Sequence, residues 1–157
     1  MKTIFLILGL LAPAHGALAH AFNVWLIAGK VSTQSVYDGF RLATRERDGH
    51  DFEESDGHLG GLDVNIFSSG PDGPPPPDID IRVNFEAEAL PEISVVRQIE
   101  RIELRPSIAW AAIIALDFQD RFAAEYGRPA DDMARRGYYA AQLIDRFVRE
   151  GSAFTDR

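Results

Sequence analysis

The chain has 157 residues, no cysteine, and 24 acidic against 16 basic side chains, a formal net charge of −8. An acid excess with scattered arginines argues against a nucleic-acid surface, which needs clustered Lys and Arg. The lack of cysteine excludes disulfides, thiol chemistry and Cys-based zinc sites.

Lys2, the apolar run Ile4 to Ala12 and the small-residue sequence Ala17-Leu18-Ala19 have the three-part pattern of a signal peptide. Residues 1–19 are therefore expected to be removed on export, leaving His20 first, with the periplasm as destination in a Gram-negative cell. The apolar run falls short of the roughly 20 residues that span a bilayer, and Pro13, His15 and Gly16 interrupt it, so the protein is not expected to be membrane-embedded. Residues 20–157 keep one lysine, Lys30, and carry 15 basic against 24 acidic side chains, a formal charge of −9. Their 138 residues suffice for one domain with its own core.

Phe22 to Ala28 is a continuous apolar run of the kind buried in a sheet, ended by Gly29. Val36, Phe40, Leu42 and Ala43 then form one stripe of a helix over 35–46. Residues 47–61 are rich in turn formers and charge and predict a solvated loop, followed by an alternating strand from Leu62 to Phe67. The loop 70–78 contains Pro74 to Pro77, which favour an extended segment with its backbone in water. Ile79, Ile81, Val83 and Phe85 alternate with polar residues as a third strand. The segment from Leu90 to Leu104 is ambiguous: Ile93, Val96, Ile99 and Ile102 recur every third residue, and Pro91 and Glu92 favour a helix. Ser107 opens a predicted helix through Tyr126, stopped by Gly127 and Pro129. Asp131 or Asp132 caps the last one, in which Gly137 suggests close packing. The pattern predicts an α/β fold, a single three-layer-like domain on a short, mostly parallel sheet.

Three stretches, Tyr37-Asp38-Gly39-Phe40-Arg41-Leu42-Ala43, Glu54 to Val64, and Phe122-Ala123-Ala124-Glu125-Tyr126-Gly127-Arg128-Pro129 with Gly137-Tyr138, resemble type I periplasmic binding proteins, the substrate-binding subunits of amino-acid and amide ABC transporters. The resemblance implies one lobe of that fold, reduced in length, with a small-molecule solute as ligand and an ABC permease as partner. It also implies that Ser32, Thr33, Gln34 and Ser35, in the loop after the first strand, meet the ligand. Hydroxyls and orphan N–H groups at a helix start suit a carboxylate; the competing role for Ser35 is a helix cap. One lobe encloses little of a ligand, so a homodimer or partner protein is expected to supply the second wall, with Trp25, Trp110, Tyr138 and Tyr139 as candidates for the docking face or, alternatively, for the core.

A second constellation is Asp48, His50, Asp51, Glu53, Glu54, Asp56 and His58, with Asp63 close behind. Their oxygens and imidazoles suit calcium, a lanthanide, zinc or copper, although the spacing matches no EF-hand, because Asp56 replaces the turn glycine and Leu62 the closing glutamate. A solvated charged loop is the competing role, and no resident cofactor is expected. His20 is a further copper candidate only if a second histidine joins it. No nucleophile elbow, phosphate loop or His-Glu-x-x-His is present in the sequence, and the chain is expected not to be an enzyme. The functional alternatives are a solute-binding protein, a periplasmic metal-binding accessory protein built on residues 48–63, and a degenerate structural fragment.

Overall fold

The computed structural model describes residues 21–30, 32–47, 55–86, 91–96, 103–104 and 117–150. The fold is α/β: among the described residues, a six-stranded sheet in the order β2-β3-β1-β4-β5-β6, with three helices. The strands are β1 (Ala21–Ile27), β2 (His58–Leu59), β3 (Leu62–Ser69), β4 (Ile81–Asn84), β5 (Glu92–Val95) and β6 (Glu103–Leu104). The helices are α1 (Thr33–Arg45), α2 (Phe118–Tyr126) and α3 (Asp132–Glu150).

The three strands expected from the sequence form the parallel centre, β3-β1-β4. The flanking pairs β2-β3, β4-β5 and β5-β6 are antiparallel, so the sheet as a whole is mixed. The cause is connection length. Parallel neighbours need a crossover of a dozen or so residues, whereas Gly60-Gly61 turns β2 into β3 directly, both at positive φ as a tight hairpin turn requires.

Alternation divides the sheet into two faces. Phe22, Val24 and Leu26 stand in register with Val64 and Ile66 on one side and Ile81 and Val83 on the other, and all are buried. These residues join Val36, Phe40, Tyr138, Ala141 and Ile144 in one core under α1 and α3. The opposite face carries Asn23 and Trp25: Asn23 Nδ2 donates to the Asp78 carbonyl of the proline strap, the loop 70–78 (2.9 Å), and Trp25 Nε1 to Ser69 Oγ at the end of β3 (2.9 Å). The chain thus passes from β1 to β3 over the helical face and from β3 to β4 over the other. Opposite directions on opposite faces give both crossovers the same hand, as parallel connections require. Pro74, Pro75 and Pro77 are exposed on the strap, in keeping with their sequence.

The expectation of a helix over 90–104 is overturned. Residues 92–95 and 103–104 are strands, because Ile93 and Val95 pair with Val83 and Ile81 and extend the apolar face of the sheet. The period-three spacing of isoleucines was a local coincidence that β4, a sequence-distant partner, overrode. The solvated loop over 47–61 is likewise shorter than expected, since Leu59 is fully buried in β2. Residues 107–116 of the predicted long helix, with Trp110 and the cap Ser107, lie outside the described residues; 118–126 is helical and ends at Gly127, φ 66°, whose N–H donates to the Ala123 carbonyl.

α1 and α3 pack backbone to backbone. A Cβ at Gly137 would stand 2.2 Å from the Val36 carbonyl oxygen, the close approach that a glycine inside a helix suggested. Phe118, Phe122, Tyr126 and Tyr138 form an aromatic chain between α2 and α3, with ring centroids 4.7–5.6 Å apart. Tyr138, Tyr139 and Trp25 are therefore interior side chains, which settles their role as packing rather than as an exposed docking face. Among the described residues no helix is long and apolar enough to cross a membrane.

Candidate functional site

β1 lies between β3 and β4, and the chain leaves its carboxyl end toward β3 while it leaves the carboxyl end of β4 toward β5. In doubly wound parallel sheets such a divergence marks the usual ligand seat; here the β4 branch runs into the antiparallel β5. Gly29, Lys30 and Ser32 to Ser35 lie beyond the end of β1. Ser32 N–H and Thr33 N–H both donate to the Gly29 carbonyl, a tight turn that brings the chain from β1 into the first turn of α1. Asn84 and Glu86 stand on the β4 side: Asn84 Oδ1 accepts from the Glu86 N–H (3.0 Å), and a Cβ at Gly29 would lie 3.9 Å from Glu86 Oε1.

The four residues singled out in the sequence all sit at this turn, with unequal freedom. Thr33 Oγ1 donates back to the Ala28 and Gly29 carbonyls. Gln34 Nε2 donates to Asp38 Oδ1 (2.7 Å), and Ser35 Oγ donates to Asp131 Oδ2 (2.6 Å). Ser32 occupies the N-cap position without a side-chain cap bond, whereas the Thr33 hydroxyl is committed to backbone carbonyls and the Gln34 and Ser35 side chains to carboxylates. Ser35 does not cap α1, because the helix starts two residues before it; Asp131 does cap α3, accepting from Ala134 N–H (2.8 Å).

Residues the sequence gave no reason to group complete the surroundings. Asp38, buried, takes Arg128 Nη2 at 2.7 Å as well as Gln34, and Tyr126 donates its hydroxyl to the Asp38 carbonyl (2.9 Å). Burial, followed by the negative charges of Asp38 and Glu125, pushes the Tyr126 phenol up to about 12. Burial opposes ionisation of Asp131, but the Ser35 hydroxyl, the Ala134 N–H and the Arg128 charge outweigh it and hold the carboxyl below its ordinary value. These contacts tie the α2–α3 junction to the first turns of α1. They were hidden in the sequence by separations of about ninety residues.

Of the acidic constellation, Asp48, His50, Asp51, Glu53 and Glu54 lie outside the described residues, as does His20. Asp56 is built into the fold: Oδ2 accepts from Ile66 N–H (2.9 Å), Oδ1 from the Tyr37 hydroxyl (3.2 Å), and its carbonyl takes the Thr44 hydroxyl (2.6 Å). Burial and the Asp56 charge together raise the Tyr37 phenol. His58 Nε2 lies 2.8 Å from Asp63 Oδ1 across the β2-β3 hairpin. Among the described residues no three His, Asp or Glu side chains converge as a metal site would need. No family model, curated protein or solved structure matches this chain.

Proposed function

We propose that this chain is an exported, non-enzymatic solute-binding protein, a reduced counterpart of one lobe of the amino-acid and amide receptors it resembles in sequence, and that its ligand sits at the carboxyl ends of β1 and β4. The observation that carries this is the divergence of the chain from those two strand ends, with α1 starting a short turn after β1. Orphan N–H groups and the positive end of the α1 dipole favour a ligand carboxylate there, with the Ser32 hydroxyl beside it. Glu86, exposed on the β4 side, offers a countercharge to a ligand ammonium. A single wall leaves most of the ligand in water, so affinity without a second copy or partner protein is about millimolar at best.

Thermal melting tests this against glycine, longer amino acids, amides and simple carboxylates, beside calcium, lanthanum, zinc and copper, because a ligand that prefers the folded state raises the midpoint. The expected result is a rise with amino acids or amides that Ser32→Ala and Glu86→Gln both diminish. A rise with metals alone would transfer the function to residues 48–63, and silence throughout would favour a structural fragment. Mass spectrometry of the secreted chain, expected to begin at His20, tests export.

A further inference from the structure

A second polar site lies at the other end of α1, about 20 Å away at 1.5 Å per residue over thirteen residues. Glu46, Arg47, Arg121, Tyr138 and Gln142, from the end of α1 and from α2 and α3, line an open pocket of about 560 Å³.

The geometry at its wall is specific. Arg47 is held in place on three sides: its Nε lies 3.0 Å from Asp145 Oδ2, its Nη1 donates to the Ala43 carbonyl (3.1 Å), and its Nη2 donates to Gln142 Oε1. The last contact orients the Gln142 amide, turning its oxygen to Arg47 and leaving the NH₂ group as what Gln142 offers elsewhere. Arg121 lies over the Tyr138 ring, 5.4 Å from its centroid, and places Nη1 2.9 Å from Glu46 Oε1. Glu46 Oε2 accepts the Tyr138 hydroxyl at 2.6 Å. Both oxygens of Glu46 are thus engaged, and Arg121, 42% exposed, also donates its Nε to the Asp117 carbonyl (3.4 Å), which leaves Nη2 as its outward donor. Arg47 faces Asp145 and Arg121 faces Glu46, and Arg149 shares Asp145, so three guanidiniums stand against two carboxylates around the pocket.

We infer that this pocket binds a small carboxylate anion, held between Nη2 of Arg121 and the amide NH₂ of Gln142. A charged guanidinium N–H makes a stronger hydrogen bond to a carboxylate oxygen than a neutral donor does. A cation would meet the excess of guanidinium charge, and an apolar solute would find no exposed apolar side chain, since the Tyr138 ring is buried beneath Arg121. The site is independent of the crevice at β1 and β4.

The test is a titration of the purified chain with sodium acetate and sodium succinate, followed by amide NMR shifts, with sodium chloride at matched ionic strength as control. Saturable shifts at the pocket residues are expected for the carboxylates and not for chloride. Arg121→Gln should weaken binding at least tenfold. Gln142→Glu keeps an acceptor for Arg47 but adds a negative charge, and should abolish binding with an unchanged melting temperature. Ser32→Ala and Glu86→Gln should leave these shifts intact, which separates this site from the proposed solute crevice. Chloride shifts equal to those of acetate, shifts confined to other residues, or both pocket variants binding like the parent chain would overturn the assignment.

Discussion

Gly39 of α1 lies directly against Ala134 of α3: a Cβ at position 39 would stand 1.8 Å from the Ala134 carbonyl oxygen. Backbone cannot retreat as a flexible side chain can, so Gly39→Ala must push the two helices apart. The expected cost is about 3 kcal/mol in urea unfolding. Gly137→Ala should also destabilise, despite the roughly 1 kcal/mol that helix propensity favours alanine. Gly127→Ala provides the contrast, since nothing lies within 4 Å and only its positive φ resists a side chain; about 1 kcal/mol is expected. Equal costs at positions 39 and 127 would contradict the close helix contact.

Asp145 gathers the α3 end of the structure. It is buried, accepts from Gly60 N–H at 2.8 Å, and pairs with Arg47 at 3.0 Å and Arg149 at 3.1 Å. Burial alone would raise its carboxyl, but the Arg149 and Gly60 hydrogen bonds and the Arg47 charge win and hold it below its ordinary value. A depressed folded value means that its contribution is present above the unfolded value near 4 and is lost as pH falls through the folded one. Asp145→Asn should cost about 3 kcal/mol at neutral pH. The same variant should flatten the acid limb of stability against pH, as measured by urea midpoints below pH 5.

The alkaline limb is set by tyrosines. Burial raises the Tyr138 phenol, with the Glu46 hydrogen bond adding to it, and Tyr126 stands at about 12. A raised folded value contributes stability that is complete below the unfolded value near 10 and disappears as pH rises through the folded one. Spectrophotometric titration should therefore show these phenols ionising late, accompanied by unfolding between about pH 10 and 12. Tyr126→Phe removes the bond to the Asp38 carbonyl and should cost about 1 kcal/mol at neutral pH.

The proline strap offers a test through the unfolded chain. Pro74, Pro75 and Pro77 are exposed, so their replacement by serine removes little packing but frees the unfolded backbone. The triple variant should lose roughly 1–3 kcal/mol at about 0.4–1 kcal/mol per proline, with the urea slope unchanged. A changed slope would mean that the strap holds the face of β1 closed rather than only shortening the search.

How much the sequence determined follows from where each signal resides. Phe22 to Ala28, the alternation from Leu62, and that around Ile81 and Val83 carried their strands in their own residues, and Gly127 and Asp131 marked helix ends because caps are local chemistry. The α/β class and a parallel centre followed from that order. Residues 92–95 did not, since a short apolar segment becomes strand or helix according to which partner waits for it, and β4 waited. The candidate turn at Ser32 was legible because a helix start after a strand is a local event. Its surroundings were not: Ser35 with Asp131, Asp38 with Arg128 and Glu46 with Arg121 are joined across seventy or more residues, and only the close packing of α1 against α3 and the placement of α2 beside them brought those charges together.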